Sequence, residues 1–298
     1  MEAVETVEED KRIEHPAFCY HGGKWRKAPW IISHFPKKHT GYIEPCGGAA
    51  SVLLRKPRVA FEVFNDLDHC VVNFFRVLRE EQDELIRQIR LTPWSREEHM
   101  IARSPDVDAS NVENARRFFV SAWTNIGAVP HIKSKTGMRM MLHGDNKKSP
   151  AFTWARRIEG DHLLRVAARF RGVQIENKDI LYILEKYNYP HNLAYCDPPF
   201  LFSTRTTNEE RYFQEWTVQK HVKTAYLLHN FKGYAVISGY PSDLYAGLYE
   251  GCGWKRIDRE CGVGFYVGTK KTESIWLSPR TVEALEEEKE KEQDADLF

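Results

Sequence analysis

The 298-residue chain is 42% hydrophobic and 12% aromatic, enough to bury one large core or a core with a sizeable insertion. No apolar run reaches the roughly 20 residues that span a bilayer, and the acidic start from Glu2 to Glu14 is the opposite of a basic leader, so a cytoplasmic protein without a membrane segment is expected. The net charge of +1 hides an uneven distribution: residues 1–14 carry −4 and residues 281–298 carry −6, leaving +11 on residues 15–280. That balance suits a polyanion such as nucleic acid, or an ordinary solvated basic surface.

In chain order, residues 1–14 read as a disordered acidic N-terminus. Helical spacing of apolar residues runs from Lys24 to Phe35, and a short strand, Gly41 to Glu44, stops at Pro45. A glycine-rich turn follows, then an expected helix start over Gly47 to Leu54 and a second strand over Arg58 to Phe64, together a β-α-β unit. A helix is expected from Leu67 to Ile89. Residues 91–171 show helical stretches at Glu97 to Ala102, Glu113 to Ile126 and Asp161 to Arg171, with no strand alternation. Strand-like runs return at Gly172 to Glu176, Leu193 to Cys196, Tyr234 to Ser238, Gly253 to Asp258 and Thr272 to Leu277. Residues 281–298, dominated by Glu and Lys, read as an acidic tail. The alternation points to an α/β protein with an open, largely parallel sheet whose ligands sit at the carboxyl ends of the strands.

The six cysteines (Cys19, Cys46, Cys70, Cys196, Cys252, Cys261) lack metal-ligand spacing, so buried thiols are expected, with no zinc site and no disulfide framework. Four other clusters carry chemistry. Glu44-Pro45-Cys46-Gly47-Gly48 places glycines where backbone can approach a ligand, although a tight turn alone would want the same residues. Asp66, in Asn65-Asp66-Leu67-Asp68, closes the next strand, where nucleotide-binding α/β folds put a carboxylate on ribose hydroxyls; Asn65 or Asp68 is equally suited to cap a helix. Tyr20-His21-Gly22-Gly23-Lys24 precedes the first helix and could hold a carboxylate or phosphate, or simply cap.

The fourth cluster, Asp197-Pro198-Pro199-Phe200, directly follows an apolar strand. An exocyclic base amine is a poor nucleophile because its lone pair is delocalised into the ring. A carboxylate at Asp197 and the Pro198 carbonyl could each accept one N–H bond and localise that pair. The prolines fix the backbone and remove donors, and Phe200 offers a ring for base stacking. Standing alone, Asp-Pro-Pro is also an ordinary strand-ending turn.

In this order, Gly22-Gly23-Lys24, Glu44-Pro45-Cys46-Gly47-Gly48, Asp66, Asp197-Pro198-Pro199-Phe200 and the closing Thr272-Glu273-Ser274-Ile275-Trp276-Leu277 resemble the Dam-like group of adenine-specific DNA methyltransferases, above all its phage and prophage members. The resemblance spans residues 17–280 and sets restriction–modification among the implied contexts. It implies a Rossmann-like, S-adenosylmethionine-dependent domain in two parts, 15–90 and 172–280, interrupted by a mainly helical target-recognition insertion at 91–171. Tyr20, Gly22, Gly23 and Lys24, the Glu44 to Gly48 turn, Asp66 and Asp197 correspond to the cofactor site, with Asp197 through Phe200 catalytic. Cys46 stands where the family usually has Phe, Phe200 where Tyr is commoner, and the recognition signature of the best-known members is missing. The implied partner is double-stranded DNA, with no metal required and a monomer expected. Methylation of the cytosine amine, or a DNA-binding protein of this fold without catalysis, are the alternatives. DNA contacts are expected from His131 to Trp154, with Lys133, Lys135, Lys147 and Lys148 on phosphates and Arg139 or Asn146 at base edges; a merely basic surface loop is the other reading.

Overall fold

All seven strand-like runs form strands, and they join one sheet. The computed structural model of the chain describes residues 13–104, 106–127, 137–140, 148–205, 212–262 and 270–295. Its strands are β1 (Gly41–Glu44), β2 (Phe61–Asn65), β3 (Val173–Glu176), β4 (Asn192–Cys196), β5 (Tyr234–Gly239), β6 (Lys255–Gly262) and β7 (Lys270–Leu277). The sheet order is β3-β2-β1-β4-β5-β7-β6. The first five are parallel, and β7 runs antiparallel between β5 and β6. Every residue of β1, β4 and β5 is buried, which is why these strands read as unbroken apolar runs. From β1 the chain moves outward through β2 and β3, then returns to β4 on the other side. The order therefore reverses between β1 and β4, and a crevice opens at their carboxyl ends.

A short helix, α1 (Ala28–Ile32), precedes β1, and among the described residues six helices lie between β2 and β3: α2 (His69–Glu80), α3 (Gln82–Leu91), α4 (Arg96–Ala102), α5 (Asn111–Thr124), α6 (Pro150–Glu159) and α7 (His162–Phe170). Side-chain oxygens of Asp68, Ser95, Ser110 and Ser149 cap α2, α4, α5 and α6. Helix α2 buries Val71, Phe74, Phe75 and Leu78, one face at helical spacing. Phe75 stacks on Phe170 of α7 at 4.3 Å and meets Phe64 of β2 edge-on at 4.9 Å, while Phe74 stacks on Phe119 of α5 at 5.6 Å. These rings join the helical lobe to the sheet in one continuous core. The opposite face is covered by α8 (Ile180–Lys186), α9 (Val218–His229) and α10 (Asp243–Leu248).

Four local expectations change. The helix read over Leu67 to Ile89 is two helices, because Glu81 adopts φ −131°, ψ 37°. Gly47 to Leu54 forms successive turns rather than a regular helix, since Gly48 and Ala50 take φ +49° and +52°. Helix α6, with Pro150 in its first turn, was hidden in a segment read as polar loop. The acidic tail is in its described part a docked helix, α11 (Pro279–Ala295). Thr281 and Ala284 are buried, and Glu287 and Glu292 pair with Lys38 and Lys37 at 2.7 and 2.5 Å. Among the described residues, no helix is long and apolar enough to cross a membrane.

Candidate active site

The ends of β1, β2 and β4 build the floor of the site. Asn65, the last residue of β2, donates to the carbonyls of Pro45 and Lys178 at 2.7 and 3.0 Å and accepts from the Lys178 amide at 2.9 Å, so three strand exits are tied together. Gly47 packs beneath Phe64, where an added Cβ would stand 2.1 Å from the ring. Gly48, in the left-handed region, donates its amide to Asp66 Oδ2 at 2.7 Å, and Asp66 Oδ1 accepts from the Asp68 amide at 2.8 Å. Asp66 thus braces the glycine turn. Asp68 is the α2 cap, and Asn65 is a strand tie rather than a cap.

Glu44 is buried, its Oε2 accepting from the Tyr42 hydroxyl at 2.8 Å and the Leu53 amide at 2.9 Å. Burial pushes its carboxyl up to about 8. Tyr20 and Cys46 are likewise held well above their usual ranges by burial, so both are neutral near pH 7.

Asp197 opens onto this floor from β4. Its Oδ1 forms an ion pair with Lys24 Nζ at 2.8 Å, and Lys24, only 5% exposed, also donates to the Gly22 carbonyl at 2.9 Å. Glu273 of β7 stands 3.6 Å from the same ammonium and pairs with Lys27. Burial raises the Asp197 pKa; the neighbouring Lys24 opposes that rise and Glu273 adds to it. Lys24 Nζ also lies 4.7 Å from the centre of the Phe200 ring, which meets Tyr240 edge-on at 4.7 Å.

Arg205 folds the segment after Phe200 back over the floor. Its guanidinium donates to the Phe200 carbonyl, binds Glu215 through two contacts of 2.9 and 2.7 Å, and lies on the rings of Phe202 and Tyr212. The result is a cavity that opens to solvent. Tyr20, Gly22, Gly23, Lys24, Glu44, Pro45, Cys46, Gly47, Gly48, Asp66, Asp197 and Pro199 all line it. Pro198 and Phe200 are buried behind that wall. Ser51, Lys178, Asp179, Ile180, Tyr212, Phe213 and Trp216 line it too, and sequence reasoning missed them as site residues. Asp179 had a signal, a carboxylate just past β3 at a helix start; the aromatics of 212–216 had only their density. Asp68, His69 and Cys70 bring possible ligand atoms within 4.8 Å of one another, but Asp68 is committed to the α2 cap.

The profile of the D12 class N6 adenine-specific DNA methyltransferase family matches residues 20–260, which contain the glycine turn, Asp66 and the Asp197 turn. The chain belongs to this family. It is therefore an enzyme that methylates the N6 amine of adenine in DNA, and the cytosine-amine and non-catalytic alternatives fall away. No individual curated protein is matched.

Of the DNA contacts expected for the methyltransferase, Arg139 and Lys148 are described, and neither lines the cavity. Arg139 is half-buried beside Cys19, with its amide on the Thr124 carbonyl at 2.7 Å; Lys148 is exposed, 5.6 Å from the Phe152 ring. Lys133, Lys135, Asn146 and Lys147 lie outside the described residues.

Proposed function

We propose that the methyltransferase draws its methyl group from S-adenosylmethionine seated in the cavity, and that Asp197 and the Pro198 carbonyl hold a flipped adenine for direct transfer. The convergence of Tyr20, the Glu44 to Gly48 turn, Asp66 and Asp197 on one cavity at the β1/β4 crevice carries this reading. The residues suit the cofactor. Gly47 and Gly48 leave no room for side chains between Phe64, Tyr20 and the cavity, and the buried Ser51 Oγ, whose residue lines it, has no hydrogen-bond partner among the described residues. Asp66 and Asp179 offer carboxylates for ribose and base polar groups, and Trp216 and Ile180 offer apolar surface. When bound, S-adenosylmethionine supplies an electrophilic methyl on a sulfonium.

The chain's own residues do the rest. With Lys24 on Oδ1, Asp197 turns its other oxygen to the adenine amine, whose second hydrogen goes to the Pro198 carbonyl, leaving the lone pair free. The surplus proton leaves afterwards to Asp197 or water. An adenine cannot reach this pair of acceptors inside a duplex, so it is flipped out. Phe200 supports the base from behind: only 9% of it is exposed and Lys24 lies over its ring, so the contact is limited to the remaining exposed part of the ring. The helices of 91–171 form the target-recognition insertion, with Arg139, Lys133, Lys135, Lys147 and Lys148 on DNA and the protein acting as a monomer.

Two measurements test the reading. Photocrosslinking with labelled S-adenosylmethionine is expected to modify the protein at cavity residues. Expression in a methylation-free host, followed by single-molecule sequencing, is expected to map N6-methyladenine to one short sequence. Labelling confined to residues outside the cavity would sink the cofactor assignment.

A further inference from the structure

Four charged side chains alternate in one line beside the site: Asp197, Lys24, Glu273 and Lys27. They come from the loop after β4, the segment before α1, the middle of β7 and the residue before α1. The two ends, Lys27 at 25% and Asp197 at 17% side-chain exposure, reach water, whereas the side chains of Lys24 and Glu273 between them are 5% and 3% exposed. Burying such a chain of charges is no efficient way to stabilise a fold, because desolvation offsets most of the attraction. The chain ends on the carboxylate that faces the cavity.

We infer that Glu273 is a positioning residue for methyl transfer, acting through Lys24 on Asp197; this rests on the reading of Asp197 as acceptor of the adenine amine. An ammonium has three protons to place. Lys24 directs one at the Gly22 carbonyl, 2.9 Å away, while the carboxylates of Asp197 and Glu273 lie 2.8 and 3.6 Å from the same nitrogen as ion-pair partners. Glu273 holds the lysine between two carboxylates, so that Lys24 covers Oδ1 of Asp197 without drawing the whole carboxylate onto itself. Lys27 balances Glu273 from the far side. Without Glu273, Lys24 would fall wholly on Asp197 and make it a weaker acceptor. Without Lys27, the negative charge of Glu273 would act on Asp197 uncompensated.

The two losses have opposite signs. Glu273 raises the pKa of Asp197, so removing its charge lets the carboxylate persist to lower pH; Lys27 lowers that pKa, so removing it makes Asp197 take up a proton at higher pH. The other titratable groups around Asp197 are Glu44 on β1, Cys46 in the glycine turn, Tyr195 and Cys196 on β4, Tyr212 on the folded-back loop and Tyr245 on α10. All are held up by burial; the thiols and phenols stay uncharged near neutrality, and Glu44, pushed up to about 8, is mainly protonated on the acid limb.

The experiment follows single-turnover methylation of unmethylated genomic DNA across pH for Glu273→Gln, Lys27→Met and Asp197→Asn. Glu273→Gln is expected to lower the plateau rate about 10-fold, to leave S-adenosylmethionine affinity within about twofold, and to move the acid limb down by about 0.5 to 1 unit. Lys27→Met is expected to move that limb up. Limbs that coincide with wild type, or that shift in one common direction, overturn the inference. Should Glu273→Gln fail to fold, the sign of the Lys27→Met shift decides alone. An active Asp197→Asn variant would instead remove the underlying reading of Asp197; an inactive one with unmoved limbs in the other two removes only the role of Glu273.

Discussion

The turn-holding groups of the cavity floor and Arg157 of the helical lobe are treated in opposite ways. On the floor the groups that hold the turns are answered within the protein: Asp66 by two backbone amides, Asn65 by the exits of β1 and β3, Glu44 by Tyr42 and Leu53. In the lobe, Arg116 and Arg117 are similarly saturated by Glu113, Glu98 and Asp106. Arg157 is not. It lies 5.4 Å from the Trp123 ring, no carboxylate pairs with it among the described residues, and both its Nη1 and the Trp123 Nε1 are buried without an acceptor. A preorganised floor suits chemistry, where reorganisation during the reaction is costly. Unanswered donors suit a surface completed by an anionic partner.

The comparison is tested most severely at the floor. Asp197→Ala is expected to reduce the single-turnover rate by about 100- to 1000-fold in a protein that stays folded, since one preorganised acceptor is lost. A rate near wild type would mean that the amine is held elsewhere. Gly47→Ala is expected to cost about 1–3 kcal/mol of stability, because its Cβ meets Phe64 at 2.1 Å and the buried ring must shift; an unchanged denaturant midpoint would show that the turn is not locked. Asp66→Ala comes next. It removes the brace on the Gly48 amide together with any contact to cofactor, so S-adenosylmethionine affinity is expected to fall about 10-fold while the rate at saturation changes little. Titration calorimetry and saturating kinetics on the same variant separate the two effects.

The same contrast explains what could be read in advance. Floor residues announce themselves because local geometry restricts residue type: glycine where Phe64 and Tyr20 crowd the backbone, and Asp197 where a buried strand ends. Strand positions were legible for the same reason, as short apolar runs between turns. What failed depended on single backbone angles or distant partners. Ala50 at φ +52° carries no turn signature, and α11 docks through Thr281, bonded to the β5 backbone at Ala235, and buried Ala284, with Lys37 and Lys38 meeting its glutamates at the surface. In the sequence Glu273 is one residue of a closing strand; its place beside Lys24 arises from sheet order, which brings β7 next to β5. Arg157 had no motif at all.

The smallest expected effect is therefore the most informative about the lobe. Arg157 is half-buried, and burial lowers its pKa. Keeping an unpaired guanidinium there works against the folded state. Arg157→Met retains much of the apolar stem and the packing on Trp123 while removing the charge. If Arg157 meets a DNA phosphate, the substitution should weaken binding to all sequences alike and reduce the dependence of log affinity on log salt by about one contact, with the methylated sequence unchanged. Thermal stability in the absence of DNA should stay level or rise, because no ion pair is broken. Lys148→Ala provides the calibration: exposed and loosely held, it should change the salt slope by no more than the same single contact, with no effect on stability. A fall in stability with an unchanged salt slope would show instead that Arg157 serves the packing of the lobe, and that the DNA backbone is met elsewhere.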